Sequence, residues 1–386
     1  MTMQNAEAAK ATGPLAGVRV VDMTSVGMGP YATQILADMG AEVIKVEAPA
    51  GDVFRHAEPA LHAGMGATFL NLNRNKQFVV LDVKRAQDLA RLKDLIAGAD
   101  VFISNVRPQS LRKLGLDYES LRASNARLIY CGAYGYSETG PYAGMPAFDD
   151  IIQARSGLAQ FQGANSAEGP QYVNTILADK VAGLTVAYAI PMALYERERS
   201  GQGQSIEVPM FETLVSFLAP EQLGGQTFVP GQGACGYPRV MSPHRKPYRT
   251  QDGYIALLPY TTPQWARFFA LSGHPELAQD PRYRDPAARS ANIDTLYATL
   301  AEIVSGKTTA QWLALLADAD IPHSEVPAFE DVIEDPHLRA TGMVFEYEHP
   351  SEGRLRGIGI PTRFSRTPGN IRAWAQPLPP ASSDDA

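Results

Sequence analysis

The feature that most limits what this chain can become is the alternation, through its first half, of short β-branched apolar runs with helix-spaced segments. Val18–Met23 reads as a strand, Pro30–Met39 as a helix, and Ala41–Glu47 and Phe78–Val83 as further strands. Ala86–Ala97 sets Leu89, Leu92, Leu95 and Ile96 at helical spacing, and Val101–Ser104 and Leu128–Gly132 follow as strands. Such alternation predicts a mostly parallel sheet with helices on both faces, a Rossmann-like α/β domain.

From Phe148 to Arg199 the pattern turns helical. Ala178–Glu198 is the longest helical segment, with Val181, Leu184, Thr185 and Tyr188 at three- and four-residue spacing. Gly201-Gln202-Gly203 ends it, and Ser205–Val208 is a short strand. Glycine and proline cluster from Gly224 to Pro247 as in a linker. Gly253–Pro259 (strand) and Thr262–Leu271 (helix) then open a smaller α/β domain that ends near Pro327. Met343–His349 and Arg354–Ile360 read as strands placed to rejoin the first domain. The expected organisation is a large domain over residues 1–220, a small inserted domain with its linkers over 221–330, and a return to the large domain with a tail over 331–386.

Composition narrows the function. A net charge of −7 argues against wholesale binding to nucleic acid or an anionic membrane, yet leaves room for a local basic pocket. The two cysteines, Cys131 and Cys235, stand in no ligand spacing, so neither a disulfide framework nor a metal site is expected. Met1–Thr12 is alanine-rich without an apolar run of signal or membrane-spanning length, and a cytoplasmic protein is expected.

After the first strand, Gly27-Met28-Gly29-Pro30-Tyr31-Ala32 matches G-x-G-x-x-A, and Glu47 follows at about the distance of a ribose-binding acid. The match is faulty as a dinucleotide fingerprint. Thr24 to Gly27 intervene between strand and turn, and Pro30 at a helix start is explained by structure alone.

A set of segments in order carries a more specific signal. These are Pro14–Thr24, Gly29–Glu47, the G-D-x-x-R of Gly51–Arg55, Leu72–Lys76, Leu81–Lys84 and the N-V-R-P of Asn105–Pro108. Ala178–Gly183, Ser200–Glu212, Asp335–Val344 and Arg363–Pro368 continue the series. Together they resemble the class III CoA-transferase family, which includes formyl-CoA and carnitine CoA-transferases and the related α-methylacyl-CoA racemases. The resemblance implies a large Rossmann-like domain built from both chain ends, a small inserted domain, and a homodimer whose chains thread through each other like links. Coenzyme A and acyl-CoA would be substrates, beside carboxylic acids, with no tightly bound cofactor.

The resemblance implies that Asp179, at a helix start, attacks the thioester as a covalent nucleophile. The plainer reading of Asp179 is a helix cap. Carried over by position, the CoA-binding residues are Val26, Gly27 and Met28 in the first loop, Leu81 to Lys84, Asn105 to Arg107, Lys113, and Tyr134, Gly135, Tyr136 and Ser137. Lys84, Arg107 and Lys113 are the expected phosphate ligands, with Arg74 and Lys76 as further candidates; each reads equally as solvated surface charge. Tyr136 is placed to pack beside the thioester.

Two departures separate the chain from formyl-CoA transferases: Gly27 stands where they carry glutamine, and Ala48 where they carry arginine. The racemase branch needs a base on each face of its substrate and carries a histidine before an aspartate. Here Phe148 precedes Asp149, so transfer is expected over racemisation, and Asp149 is expected to serve structure at a helix start. A catalytically silent CoA-binding protein is the third reading. His244, Arg245, Lys246 and Arg249 cluster in P-H-R-K-P-Y-R, where one could pair with the second carboxylate of a dicarboxylic acid or simply face solvent.

Overall fold

The alternating segments form one six-stranded parallel sheet in the computed structural model, which describes Lys10–Pro379. The chain runs β1 (Arg19–Met23), α1 (Met28–Asp38), β2 (Glu42–Glu47), α2 (Ala67–Leu72), β3 (Lys76–Val80), α3 (Ala86–Ala97) and β4 (Val101–Ser104). It continues through α4 (Pro108–Leu114), α5 (Tyr118–Arg122), β5 (Ile129–Tyr134), α6 (Asp149–Arg155), α7 (Leu158–Gln162), α8 (Leu177–Ser200), β6 (Gln204–Pro209) and α9 (Met210–Gln222). The spatial order is β3-β2-β1-β4-β5-β6, so the strand order reverses between β1 and β4. Loops leaving the carboxyl ends of those two strands turn opposite ways and open a crevice there.

The central strands are apolar because both faces are covered. Val20, Val21, Val101, Phe102 and Ile103 are fully buried. One covering layer packs Leu92 and Ile96 of α3 with Leu111, Leu116 and Leu121 against Phe102 and Tyr130. Burying each such side chain contributes about 1.5–3 kcal/mol. β3 starts at Lys76 and stops at Val80, earlier than its apolar run suggests. The chain turns at Asp82, whose carbonyl accepts the Arg85 N–H at 2.8 Å and whose own N–H reaches the Asp88 carboxylate at 2.9 Å.

Three ion pairs lie buried near the ends of these strands. Lys45 meets Asp52 at 2.9 Å, Arg55 meets Glu47 at 2.6 Å, and Lys76 meets Asp22 at 3.4 Å. Removing one partner of such a pair costs about 3–5 kcal/mol, since the other charge is left uncompensated.

Two compact units emerge. The first comprises the chain up to Gln160, Gln171–Phe217 and the stretch from Pro336; the second comprises Phe161–Pro170 and Leu218–Asp335. The second unit holds a three-stranded antiparallel sheet of β7 (Tyr248–Arg249), β8 (Tyr254–Leu257) and β9 (His323–Glu325). Its core gathers Trp265, Phe268, Phe269, Leu300 and Trp312. The last strands, β10 (Val344–His349) and β11 (Gly353–Ile358), belong to the first unit but do not extend its sheet. They pair with each other, Val344 opposite Ile358, because a short turn brings them together antiparallel.

Candidate active site

The site grows from the loop that joins β1 to α1. α1 begins at Met28 with Gly27 at its N-cap position, and the left-handed residue before it is Val26, at φ 69°. The two glycines of the G-x-G motif therefore do other work than a dinucleotide turn. A Cβ on Gly27 would stand 2.3 Å from Oδ2 of Asp179, and one on Gly29 would stand 2.2 Å from Cβ of Thr24. Gly27 is absent of side chain because a carboxylate occupies that space.

Asp179 is the third residue of α8, and its side chain does not cap the helix: the N-cap position belongs to Ile176 and no side-chain cap bond is made. The residue is 8% exposed, and no donor among the described residues bonds its carboxylate. Burial, reinforced by the neighbouring Asp149 charge, pushes its pKa up to about 7. Asp149, first residue of α6, is satisfied by contrast. Its Oδ1 accepts the backbone N–H of Asp179 at 3.0 Å, and its Oδ2 accepts Gln153 Nε2 at 2.6 Å. Gln153 in turn accepts the Val173 N–H at 2.9 Å and donates to the Thr175 carbonyl at 3.2 Å, which ties down the segment entering α8.

Asp179 opens into a cleft of about 410 Å³ over the ends of β1, β4 and β5. Val26, Gly27, Met28, Asn105, Arg107, Tyr134, Gly135 and Tyr136 all line it. A second cleft of about 510 Å³ shares Ser25 and Val106 with the first and is lined by Leu81, Asp82, Val83 and Lys84. Lys84 and Arg107 are exposed at these clefts. Tyr136 is buried, its ring 5.5 Å from Tyr142 and 5.8 Å from Phe211.

Other sequence candidates fall elsewhere. Lys113 is exposed on α4 and lines neither cleft. Arg74 is bound to Asp38 at 2.7 Å beside a different cavity, of about 350 Å³. Lys76 is fully buried between Asp22, Asn73 and the Pro30 carbonyl, and burial pulls its pKa down to about 7. Both are held by acids of the fold, so neither is left to meet a phosphate. His244, Arg245, Lys246 and Arg249 lie in the second unit, the last three exposed.

The structure adds residues that sequence reasoning passed over. Val53, Met145 and Met210, together with Phe148, give the Asp179 cleft apolar walls; only Phe148 was singled out from the sequence. Asp52 and Lys45 hold the Val26 loop; the G-D-x-x-R and I-K-V-E segments contain them, but nothing local says what they face. A buried carboxylate with no donor among the described residues, walled by apolar side chains, is poorly solvated, and such an anion attacks an acyl carbon more readily than a hydrated one.

Comparison with known proteins shows the family and the fold. Residues 15–381 match the sequence profile of CoA-transferase family III. The chain is 33% identical over 357 residues to the mouse succinyl-CoA:glutarate CoA-transferase, covering 92% of this chain and 81% of that one. It is 34% identical over 365 residues to the acetyl-CoA:oxalate CoA-transferase of Acetobacter aceti, covering 92% and 90%. The crystal structure of a CAIB/BAIF family protein from Brucella suis superposes with a TM-score of 0.79 at 32% identity, covering 95% of this chain and 97% of that one.

Proposed function

This chain belongs to CoA-transferase family III, and on that premise we propose that it moves coenzyme A from an acyl-CoA to a free carboxylic acid through Asp179. The observation that carries the proposal is a carboxylate with no hydrogen-bond donor among the described residues, 8% exposed, at the head of α8 and open to the strand-end cleft. An oxygen of Asp179 attacks the thioester carbonyl, the C–S bond breaks, and an aspartyl-acyl anhydride forms with CoA thiolate as leaving group. The thiolate then attacks the aspartyl carbonyl, which releases the donor acid and leaves an aspartyl-CoA thioester. The acceptor carboxylate opens that thioester to a second anhydride, and the thiolate attacks the acceptor's acyl carbon. Acyl-CoA departs and Asp179 returns as carboxylate.

Each step needs the thiolate held close and water kept out. The apolar walls of Val53, Met145 and Met210 suit the second need. Arg107 and Lys84 are suited to hold CoA phosphates. Phe148 stands at the cleft where a racemase would carry its histidine, and a phenyl ring takes no proton. Succinyl-CoA with glutarate and acetyl-CoA with oxalate are the first pairings to assay, since the similar proteins are named for them.

The same reading includes a homodimer in the cytoplasm, without nucleic-acid or membrane partners. α8 is long and apolar enough to cross a membrane by length and composition alone, but one side of it packs into the first unit through Ala182, Val186 and Ile190. Its other side leaves Leu184, Tyr188, Met192 and Tyr195 exposed, a stripe suited to a second copy of the chain.

Trapping tests the proposal. Acyl-CoA followed by hydroxylamine should convert the Asp179 side chain to a hydroxamate, located by peptide mass spectrometry. Protein without acyl-CoA should stay unmodified. An adduct on another acid would relocate the nucleophile, and no adduct together with no CoA exchange would leave only a CoA-binding protein.

A further inference from the structure

The loop beside the nucleophile is held in a backbone conformation that its own residue resists. Val26 sits at φ 69°, in the left-handed region that a β-branched side chain rarely occupies. Three side chains from other elements grip the turn that contains it. Asn105, after β4, accepts the Ser25 N–H at 3.2 Å and donates to the Ser25 carbonyl at 2.9 Å. Asp52, after β2, accepts the N–H of Val26 at 3.1 Å and that of Phe54 at 3.0 Å through Oδ1. Its Oδ2 accepts Lys45 Nζ at 2.9 Å, and the same ammonium donates to the Thr24 carbonyl at 2.9 Å. Lys45 and Asp52 are 0% and 1% exposed. A buried ion pair thus bonds the backbone on both sides of Ser25. The next residue, Gly27, lies against the Asp179 carboxylate.

We infer that Asp52 is a positioning residue for the reaction: with Lys45 it clamps the Thr24–Val26 turn in its left-handed form and so aligns Gly27 with Asp179. Strain held by the surrounding structure recurs at sites where a reacting group must be placed in advance. The inference rests on the CoA-transfer reading, and Asp52 acts through the loop rather than on the substrate.

Two double variants separate the clamp from the ion pair. Lys45→Met/Asp52→Asn removes both charges yet keeps an acceptor for the Val26 N–H. Lys45→Met/Asp52→Leu removes the charges and the acceptor together. The Leu pair should show kcat at least about tenfold below the Asn pair, with the Kd for CoA by calorimetry equal within about twofold. Adding Val26→Gly to the Leu pair should raise kcat at least about fivefold, because glycine adopts the turn unaided. Equal kcat in the two pairs, or a loss that Val26→Gly does not relieve, overturns the inference. Should the Leu pair not fold, Asp52→Glu keeps the charge for Lys45 but shifts the acceptor. A kcat as high as that of the unmodified protein then overturns the inference equally. No CoA exchange by the unmodified protein, with any donor tried, would instead overturn the transfer reading and this inference with it.

Discussion

The carboxylate of Asp149 accepts the backbone N–H of Asp179 at 3.0 Å, so one acid fixes the head of α8 while its charge makes the other harder to ionise. Position and ionisation of Asp179, the proposed nucleophile, are coupled through a single side chain. The structural role expected for Asp149 at a helix start therefore has an electrostatic side.

That coupling predicts a pH shift. Only ionised Asp179 attacks, so kcat/KM should rise with pH through a limb near 7, where burial and Asp149 have moved its pKa. Asp149→Asn keeps an oxygen for the Asp179 N–H but removes the charge, together with the acceptor for Gln153 Nε2. Its limb should lie at lower pH, and the hydroxamate adduct should persist. A limb that stays in place would mean that burial alone sets the Asp179 pKa.

The same raised pKa predicts a stability effect. Asp179 binds its proton more tightly folded than unfolded, so this residue's contribution falls as pH rises from about 4 and is fully unfavourable above about 7. Asp179→Asn removes that penalty while abolishing transfer. It should be more stable than the unmodified protein at pH 8 by on the order of 3 kcal/mol, with the difference fading towards pH 4. Thermal melts across that range check the sign.

Gly27→Ala tests the close approach. Gly27 has φ −98°, which alanine adopts freely, so the backbone should not object. The added methyl would meet Asp179 Oδ2 at 2.3 Å and must displace it. A loss of about a hundredfold in kcat is expected with a near-normal melting temperature, since small misplacements of a reacting group have effects of that size.

The cations should divide by placement. Arg107→Ala and Lys84→Ala remove charges at the clefts and should raise KM for acyl-CoA about tenfold with little change in kcat, the signature of lost uniform binding. Arg74→Ala breaks the pair with Asp38 and should lower the melting temperature instead, leaving KM near normal. Steady-state kinetics beside thermal melts distinguish the two classes.

What the sequence determined by itself is the layered α/β architecture and the family to which the chain belongs. Strand and helix periodicities are local, so β1, β2, β4 and β5 were legible to within two residues in runs such as Val101–Ser104. The order of matching segments pointed to Asp179 for the same reason: it is read along the chain. Tertiary structure decided which charges face the cleft. Lys76 and Arg107 look alike as letters, but the crossover connections bury one against Asp22 and leave the other beside Asp179's cleft. Asp52 meets Val26 and Asp149 meets Asp179 only because loops from separate strands and helices converge where the sheet order reverses. A side chain's chemistry depends on the field and the partners around it, and those are properties of neighbours in space rather than in sequence.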